Sequence, residues 1–226
     1  MSPVSQVYGN TFTGLPAGTR KLAITFDDGP NDPWTPRLLD VLAGHNVRAT
    51  FFMIGSYVRR HPDIARMVAA GHDIGNHTFS HPNLIFTSPA SARTELAQCN
   101  ASIEDATGQP AVFFRPPFGG RRPDVLRAVA AAGLQTIMWR ASSYDWSLPT
   151  SDAIVNRVQG QIRGGEVILM HDGSHRSFGS DRSRTIAAAD ELIRHYRDQG
   201  YEFLSVGEML RVNSADTSSA PTSLPR

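Results

Sequence analysis

From Lys21 onwards, short apolar runs alternate with longer stretches in which apolar residues return every third or fourth position. Apolar runs bounded by Gly, Pro and Asp predict strands near Leu22–Phe26, Val47–Ile54, Asp73–Asn76, Val112–Arg115, Thr136–Trp139, Glu166–Met170 and Glu202–Leu204. Between them lie helix start and stop signals. Thr35-Pro36 opens one helix, His61-Pro62 a second that Gly71 ends, and Ser88-Pro89 a third running towards Gly108. Pro123 starts a helix ended by Gly133, Ser151 caps one reaching Gln161, and the pattern from Thr185 to Gln199 stops at Gly200. Ser205 followed by Glu208 predicts a capping box for a short last helix. This alternation is that of an α/β protein with a mainly parallel sheet. About seven parallel strands, each followed by a helical or loop segment, favour a distorted (β/α) barrel over an open doubly wound sheet. Residues 1–19 read as an N-terminal arm, 20–212 as one folded domain, and 213–226, rich in Ser, Thr, Ala and Pro, as a disordered tail.

A chain of 226 residues, 40% hydrophobic and 19% charged, is long enough for one sizeable core and too apolar for wholesale disorder. With 22 basic against 21 acidic residues it carries no electrostatic footprint for nucleic acid or an anionic membrane. No such partner is expected, and a monomer is. Cys99 is the single cysteine, which excludes an intrachain disulfide and a cysteine-rich zinc site. No apolar run is long enough to span a bilayer, and Met1 to Asn10 lacks the charged and apolar regions of a secretion signal.

The chemistry concentrates after the strands. Thr25-Phe26-Asp27-Asp28-Gly29-Pro30 sets two carboxylates at a sharp turn, a costly pair unless a cation or strong donor compensates it. Alone, an Asp pair at a turn is an ordinary loop former. His77-Thr78-Phe79-Ser80-His81 follows the third strand, and two histidines four apart, taken with the Asp pair, suit a metal bound by imidazole nitrogen and carboxylate oxygen. His45, His61, His72, His175 and His195 read as solvated or structural. Arg115-Pro116-Pro117-Phe118-Gly119-Gly120 places an arginine where it can pair with one aspartate, although an exposed arginine in a proline turn is the commoner case. Asp145-Trp146 offers an aromatic wall for a sugar site, and His171 emerges where the apolar run Val167–Met170 ends. Asp27, Asp28, His77, Arg115, Asp145 and His171 all fall at or beyond the carboxyl ends of predicted strands, the catalytic face of a barrel.

The ordered set TFDDGP, HTFSH, RPPFGG, YDW and LMHD resembles the polysaccharide deacetylase family, also called carbohydrate esterase family 4 or the NodB homology domain, over roughly Lys21 to Leu210. The resemblance implies a distorted (β/α) barrel. It also implies a metal-dependent hydrolase that removes N-acetyl groups from N-acetylglucosamine polymers such as chitin oligomers or peptidoglycan, with O-acetyl groups of xylan as the alternative. By that resemblance Asp28, His77 and His81 hold the metal, zinc first with cobalt or nickel also suited, Asp27 is the general base and His171 the general acid. Arg115 tethers Asp27, the Phe118 backbone N–H binds the oxyanion, and Trp146, Leu169 and Asp145 shape the substrate pocket. A secreted or cell-envelope location is implied as well.

One position departs from the pattern. The family usually carries an aspartate three residues before the Asp-Trp pair, which orients the acid histidine, and here that position is Ser142. A serine does not stabilise an imidazolium as a carboxylate does, so His171 is expected to have a lower pKa than in relatives. Two rivals stand beside this reading. A non-haem iron oxygenase also uses two histidines and a carboxylate, and a catalytically silent carbohydrate-binding domain would keep the fold.

Overall fold

A computed structural model of the chain describes residues 2–6 and 11–218, with the side chains of 216–218 left aside. Eight short strands all pair in parallel. They are β1 (Lys21–Gly29), β2 (Thr50–Met53), β3 (Asp73–Asn76), β4 (Phe113–Phe114), β5 (Gln135–Thr136), β6 (Ala141–Ser142), β7 (Val167–His171) and β8 (Glu202–Phe203). Seven follow the spatial order β5-β4-β3-β2-β1-β7-β6, and β8 pairs with Lys21 and Leu22 of β1. The helices are α1 (Trp34–Gly44), α2 (Gly55–Arg60), α3 (Pro62–Ala69), α4 (Pro89–Thr107), α5 (Pro123–Ala131), α6 (Ser151–Gln159), α7 (Ser183–Asp198) and α8 (Val206–Ser218). This is the distorted (β/α) barrel expected.

The strand expected at Thr136–Trp139 is two strands. Gln135 and Thr136 pair with β4, the chain then swings across, and Ala141 and Ser142 pair with β7, so one stretch bridges both ends of the sheet. Below that crossing the gap is filled by the first segment of the chain. Phe12 exchanges backbone bonds with Thr136 and Met138, Val167 donates to Thr13 O, and Leu15 donates to Gly165 O at 2.8 Å. Gly165 has a φ of +87°, and a Cβ there would come within 2.6 Å of Leu15 O, so only glycine permits this seam. Residues 12–15 are thus barrel wall rather than part of an arm spanning 1–19. At the other end α8 continues to Ser218, so the start of the expected tail is helical, and residues 219–226 lie outside the described residues.

Strand alternation divides the core. Leu22, Ile24 and Phe26 of β1 pack against the helical layer with Leu38, Phe51 and Leu192. Ala23 joins Leu15, Phe52, Phe113, Ile137 and Val167 in a second, inner cluster. A period of two therefore sends Ala23, Thr25 and Asp27 into the barrel. Asp28 would point outward by the same rule, but β1 bulges against β2 between Asp27 and Gly29, and Asp28 takes a φ of +72°. The bulge turns the second carboxylate towards the mouth beside the first.

Capping follows the sequence in most places. Ser88 Oγ accepts the Ser91 N–H, Gly108 ends α4 in a left-handed conformation, and Ser205 and Glu208 cap α8 reciprocally. α1 starts at Trp34 instead of behind Thr35, whose hydroxyl accepts the Asn31 N–H and donates to Asp172. α6 starts one residue after its cap, Thr150, rather than being capped by Ser151. α2 has no side-chain cap at all. Its first N–H groups, on Gly55 and Ser56, are taken by Thr78 O and Phe79 O from the loop after β3.

Candidate active site

All six rim residues meet in one cleft of about 840 Å³ or directly behind its wall. Adjacent register on β1 and β7 puts Asp27 beside His171. Asp27 Oδ1 accepts from Arg115 Nη1 at 2.7 Å, and the same nitrogen reaches Thr25 Oγ1. Arg115 is 0% exposed, with its guanidinium 4.0 Å from the Phe52 ring centroid and its remaining donors directed at the Ile137 and Met138 carbonyls. A buried cation so fully engaged fixes the Asp27 carboxylate in position and balances its charge.

Asp28, His77 and His81 each bring a donor atom within 4.8 Å of the others, and all three are buried. His77 Nε2 lies 3.5 Å and His81 Nε2 3.1 Å from Asp28 Oδ1. The fit to a cation rests on what these atoms lack. Asp28 Oδ1 is buried without a hydrogen-bond partner, and His77 Nδ1 is engaged with Arg115 O at 2.7 Å, which leaves its Nε2 lone pair turned towards Oδ1. Burial, only partly offset by Asp27, pushes the His77 ring down to about 4, so it stays neutral. Burial alone would raise the Asp28 carboxyl, but His175 and His81, then His171 and His77, hold it well below the usual range. Two imidazole nitrogens beside an ionised carboxylate form a donor set of the kind zinc prefers.

On the opposite wall, the Asp145 carboxylate holds His171 from two sides. Oδ1 meets Nδ1 at 2.8 Å, while Oδ2 accepts the His171 N–H at 2.8 Å and the Thr185 hydroxyl at 3.0 Å. Burial would lower the His171 pKa, but the Asp145 charge and hydrogen bond win and push it up to about 9. Ser142 therefore does not leave His171 without a carboxylate partner. Ser142 exchanges backbone bonds with the Gln161 side chain, and the carboxylate that orients the histidine is Asp145 itself. Asp145 is thus withdrawn from the substrate pocket to which it was assigned, being buried behind His171.

Trp146 is half exposed and stands edge-on to His171 with ring centroids 5.0 Å apart, and Leu169 lines the same hollow. Phe118 has a φ of +56°, and the two backbone bonds of its turn, from Gly119 N–H to Pro116 O and from Gly120 N–H to Pro117 O, leave out the Phe118 N–H. Asp28, Thr78, His81, Phe118 and Tyr144, five of the six non-glycine residues with positive φ among the described residues, lie in or beside this cleft. At about 1–3 kcal/mol each, such strain is held by the surrounding fold and marks a preorganised site.

Three residues here were not expected. His175, read as solvated or structural, is half-buried in the cleft, where it donates its backbone N–H to Asp28 Oδ2 at 3.1 Å and stacks on His81. Asp172, beside His171, is buried against Gly29 and pushed up to about 7 by burial, against the lowering effect of its Thr35 bond. Tyr144 stacks on Trp146 at 4.7 Å and extends the aromatic wall, with the Arg157 guanidinium 4.1 Å from its ring centroid. Of the other histidines, His45 pairs with Asp190 and His72 accepts the Ala49 N–H, both structural as expected.

A profile of the polysaccharide deacetylase family matches residues 15–137. The chain belongs to the polysaccharide deacetylase family. It is 41% identical over 191 residues to a chitooligosaccharide deacetylase of Sinorhizobium fredii, covering 81% of this chain and 89% of that one. It is 37% identical over 200 residues to a peptidoglycan-N-acetylglucosamine deacetylase of Bacillus cereus, covering 87% and 91%. Among solved structures, a peptidoglycan N-acetylglucosamine deacetylase superposes with a TM-score of 0.82 at 33% identity, covering 88% of this chain and 91% of that one. A carbohydrate esterase family 4 pseudoenzyme from Bacillus anthracis gives 0.81 at 31%, covering 93% and 70%. This polysaccharide deacetylase is therefore a carbohydrate deacetylase, a hydrolase of carbon–nitrogen bonds other than peptide bonds. A pseudoenzyme among the neighbours shows that the fold alone does not carry activity.

Proposed function

We propose that this polysaccharide deacetylase hydrolyses the N-acetyl groups of N-acetylglucosamine-containing glycans with the help of a divalent cation, zinc by preference, held by Asp28, His77 and His81. The observation that carries the proposal is that this triad shares one cleft with a tethered carboxylate, Asp27, and a carboxylate-backed imidazole, His171. A cation bound there supplies Lewis acidity towards the acetyl carbonyl and lowers the pKa of the attacking water. Asp27, held by Arg115, takes the proton of that water as it adds to the carbonyl carbon. The Phe118 N–H donates to the oxygen that becomes negative. His171, kept protonated by Asp145, delivers its proton to the departing amine as the C–N bond breaks, and acetate leaves from the hollow walled by Trp146 and Leu169.

Both chitin oligomers and peptidoglycan suit a cleft of this size. Arg157 and Arg176 line it without an ion-pair partner among the described residues, which favours a glycan bearing carboxylates, as peptidoglycan does. The test is acetate release from N-acetylglucosamine oligomers, peptidoglycan and acetylxylan, after chelation and after adding back zinc, cobalt or nickel. The expected result is N-acetyl turnover that chelation abolishes and zinc restores. Asp27→Asn should bind metal but release almost no acetate, and His77→Ala should lose both. Full activity in Asp27→Asn, or release from acetylxylan alone, would overturn the proposal.

A further inference from the structure

Metal-binding side chains need partners behind them to fix their orientation. His77 has one in Arg115 O. His81 does not, because its Nδ1 is buried and finds no hydrogen-bond partner. What holds its ring is contact with two others. His175 stacks on it with centroids 4.3 Å apart and planes 14° from parallel, and Phe118 meets it edge-on at 4.7 Å. His175 also faces Asp28, with its backbone N–H 3.1 Å and its Nδ1 3.4 Å from Oδ2, the oxygen turned away from the triad.

We infer that His175 is a positioning residue for the cation site, orienting two of its three ligands at once. Its ring nitrogen and backbone N–H hold Asp28 Oδ2, which leaves Oδ1 facing both histidine Nε2 atoms. Its flat face sets the plane of His81 in place of the missing hydrogen bond. His175 is not itself a ligand, since the donor atoms that gather within 4.8 Å come from Asp28, His77 and His81. The loop that carries it has a fixed route. The Asp172 and Gly173 N–H groups donate to Asp27 O, Tyr57 donates to Ser174 O, and a Cβ on Gly173 would collide with Asp28 O. The turn that presents the two aspartates thus also places His175. The inference rests on the reading of the triad as ligands.

Two properties of the side chain carry the effect, a donor at the Nδ1 position and a flat ring, and substitutions separate them. His175→Ala removes both, His175→Asn keeps a donor, and His175→Phe keeps a ring. The readout is the zinc dissociation constant of the metal-stripped full chain, measured by competition with a chromophoric chelator, with the melting temperature of the stripped protein alongside. His175→Ala should bind zinc about 10- to 100-fold more weakly, with Asn and Phe in between. Zinc binding by His175→Ala within twofold of the unsubstituted chain would overturn the inference and leave the triad standing. An unsubstituted chain that binds no zinc would overturn both. Should His175→Ala not fold, Asn and Phe variants that both match the unsubstituted chain would overturn the inference.

Discussion

Asp145→Asn is the most direct test of how the acid side of the cleft works. The substitution keeps the size of the side chain and removes its charge. Asp145 now uses both oxygens as acceptors, one for His171 Nδ1 and the other for the His171 N–H and the Thr185 hydroxyl. An asparagine has one acceptor, so its amide group must face a buried donor, at a cost of about 1–3 kcal/mol. The larger effect is on His171. A fall from about 9 to its ordinary 6.5 is about 3 kcal/mol of lost preference for the imidazolium, and burial without Asp145 pulls it lower still. At pH 7 the ring would change from roughly 1% neutral to roughly three-quarters neutral or more. His171 can donate only while protonated, so activity is present below its pKa and lost as pH rises through it. The assay is kcat/KM for acetate release between acid and alkaline pH. The unsubstituted enzyme should lose activity on the alkaline side near 9, or somewhat below when a bound cation offsets Asp27 and Asp28. In Asp145→Asn that limb should move below neutrality, with the plateau roughly 10²- to 10⁴-fold lower. An alkaline limb that stays in place would refute the assignment of Asp145 as the partner of His171.

Ser142→Asp should leave the same alkaline limb unmoved, because the carboxylate partner of His171 is Asp145 and Ser142 is bonded to the Gln161 side chain. A pH–rate profile shifted upward would contradict this. Arg115→Ala would leave the Asp27 carboxylate buried without its cation, so urea unfolding should show a loss of about 3–5 kcal/mol. A loss under 1 kcal/mol would show that Arg115 does not hold the buried pair.

The rim was legible because its residues end strands that announce themselves. Leu22–Phe26 and Val167–Met170 are apolar runs cut off by Asp-Asp-Gly-Pro and His-Asp-Gly, so Asp27 and His171 had to emerge at the same end of a parallel sheet. Asp145 was found but misassigned. It follows Tyr144, whose φ of +54° turns the chain, and strand alternation does not foresee which way the next side chain swings. His175 was missed because it lies in a loop whose path depends on contacts with β1, far away in sequence. α2 was missed for a related reason, since the groups that cap it are carbonyls from the loop after β3 rather than a side chain beside it. The split between β5 and β6 needs a change of neighbours along one extended stretch, and hydrophobic pattern carries no information about neighbours.

The seam closed by Phe12–Leu15 bears on how the protein is made. The segment that shuts the barrel is made well before its partners Gly165 and Glu166, about 150 residues further along the chain. Until they arrive, the barrel cannot close, and an open parallel sheet with an uncovered apolar edge is prone to aggregate. Barrel closure is therefore a late event in biosynthesis, set by long-range contacts. A fusion or truncation that removes residues 12–15 would leave the cleft chemistry nominally intact while depriving the nascent chain of its closing stitch.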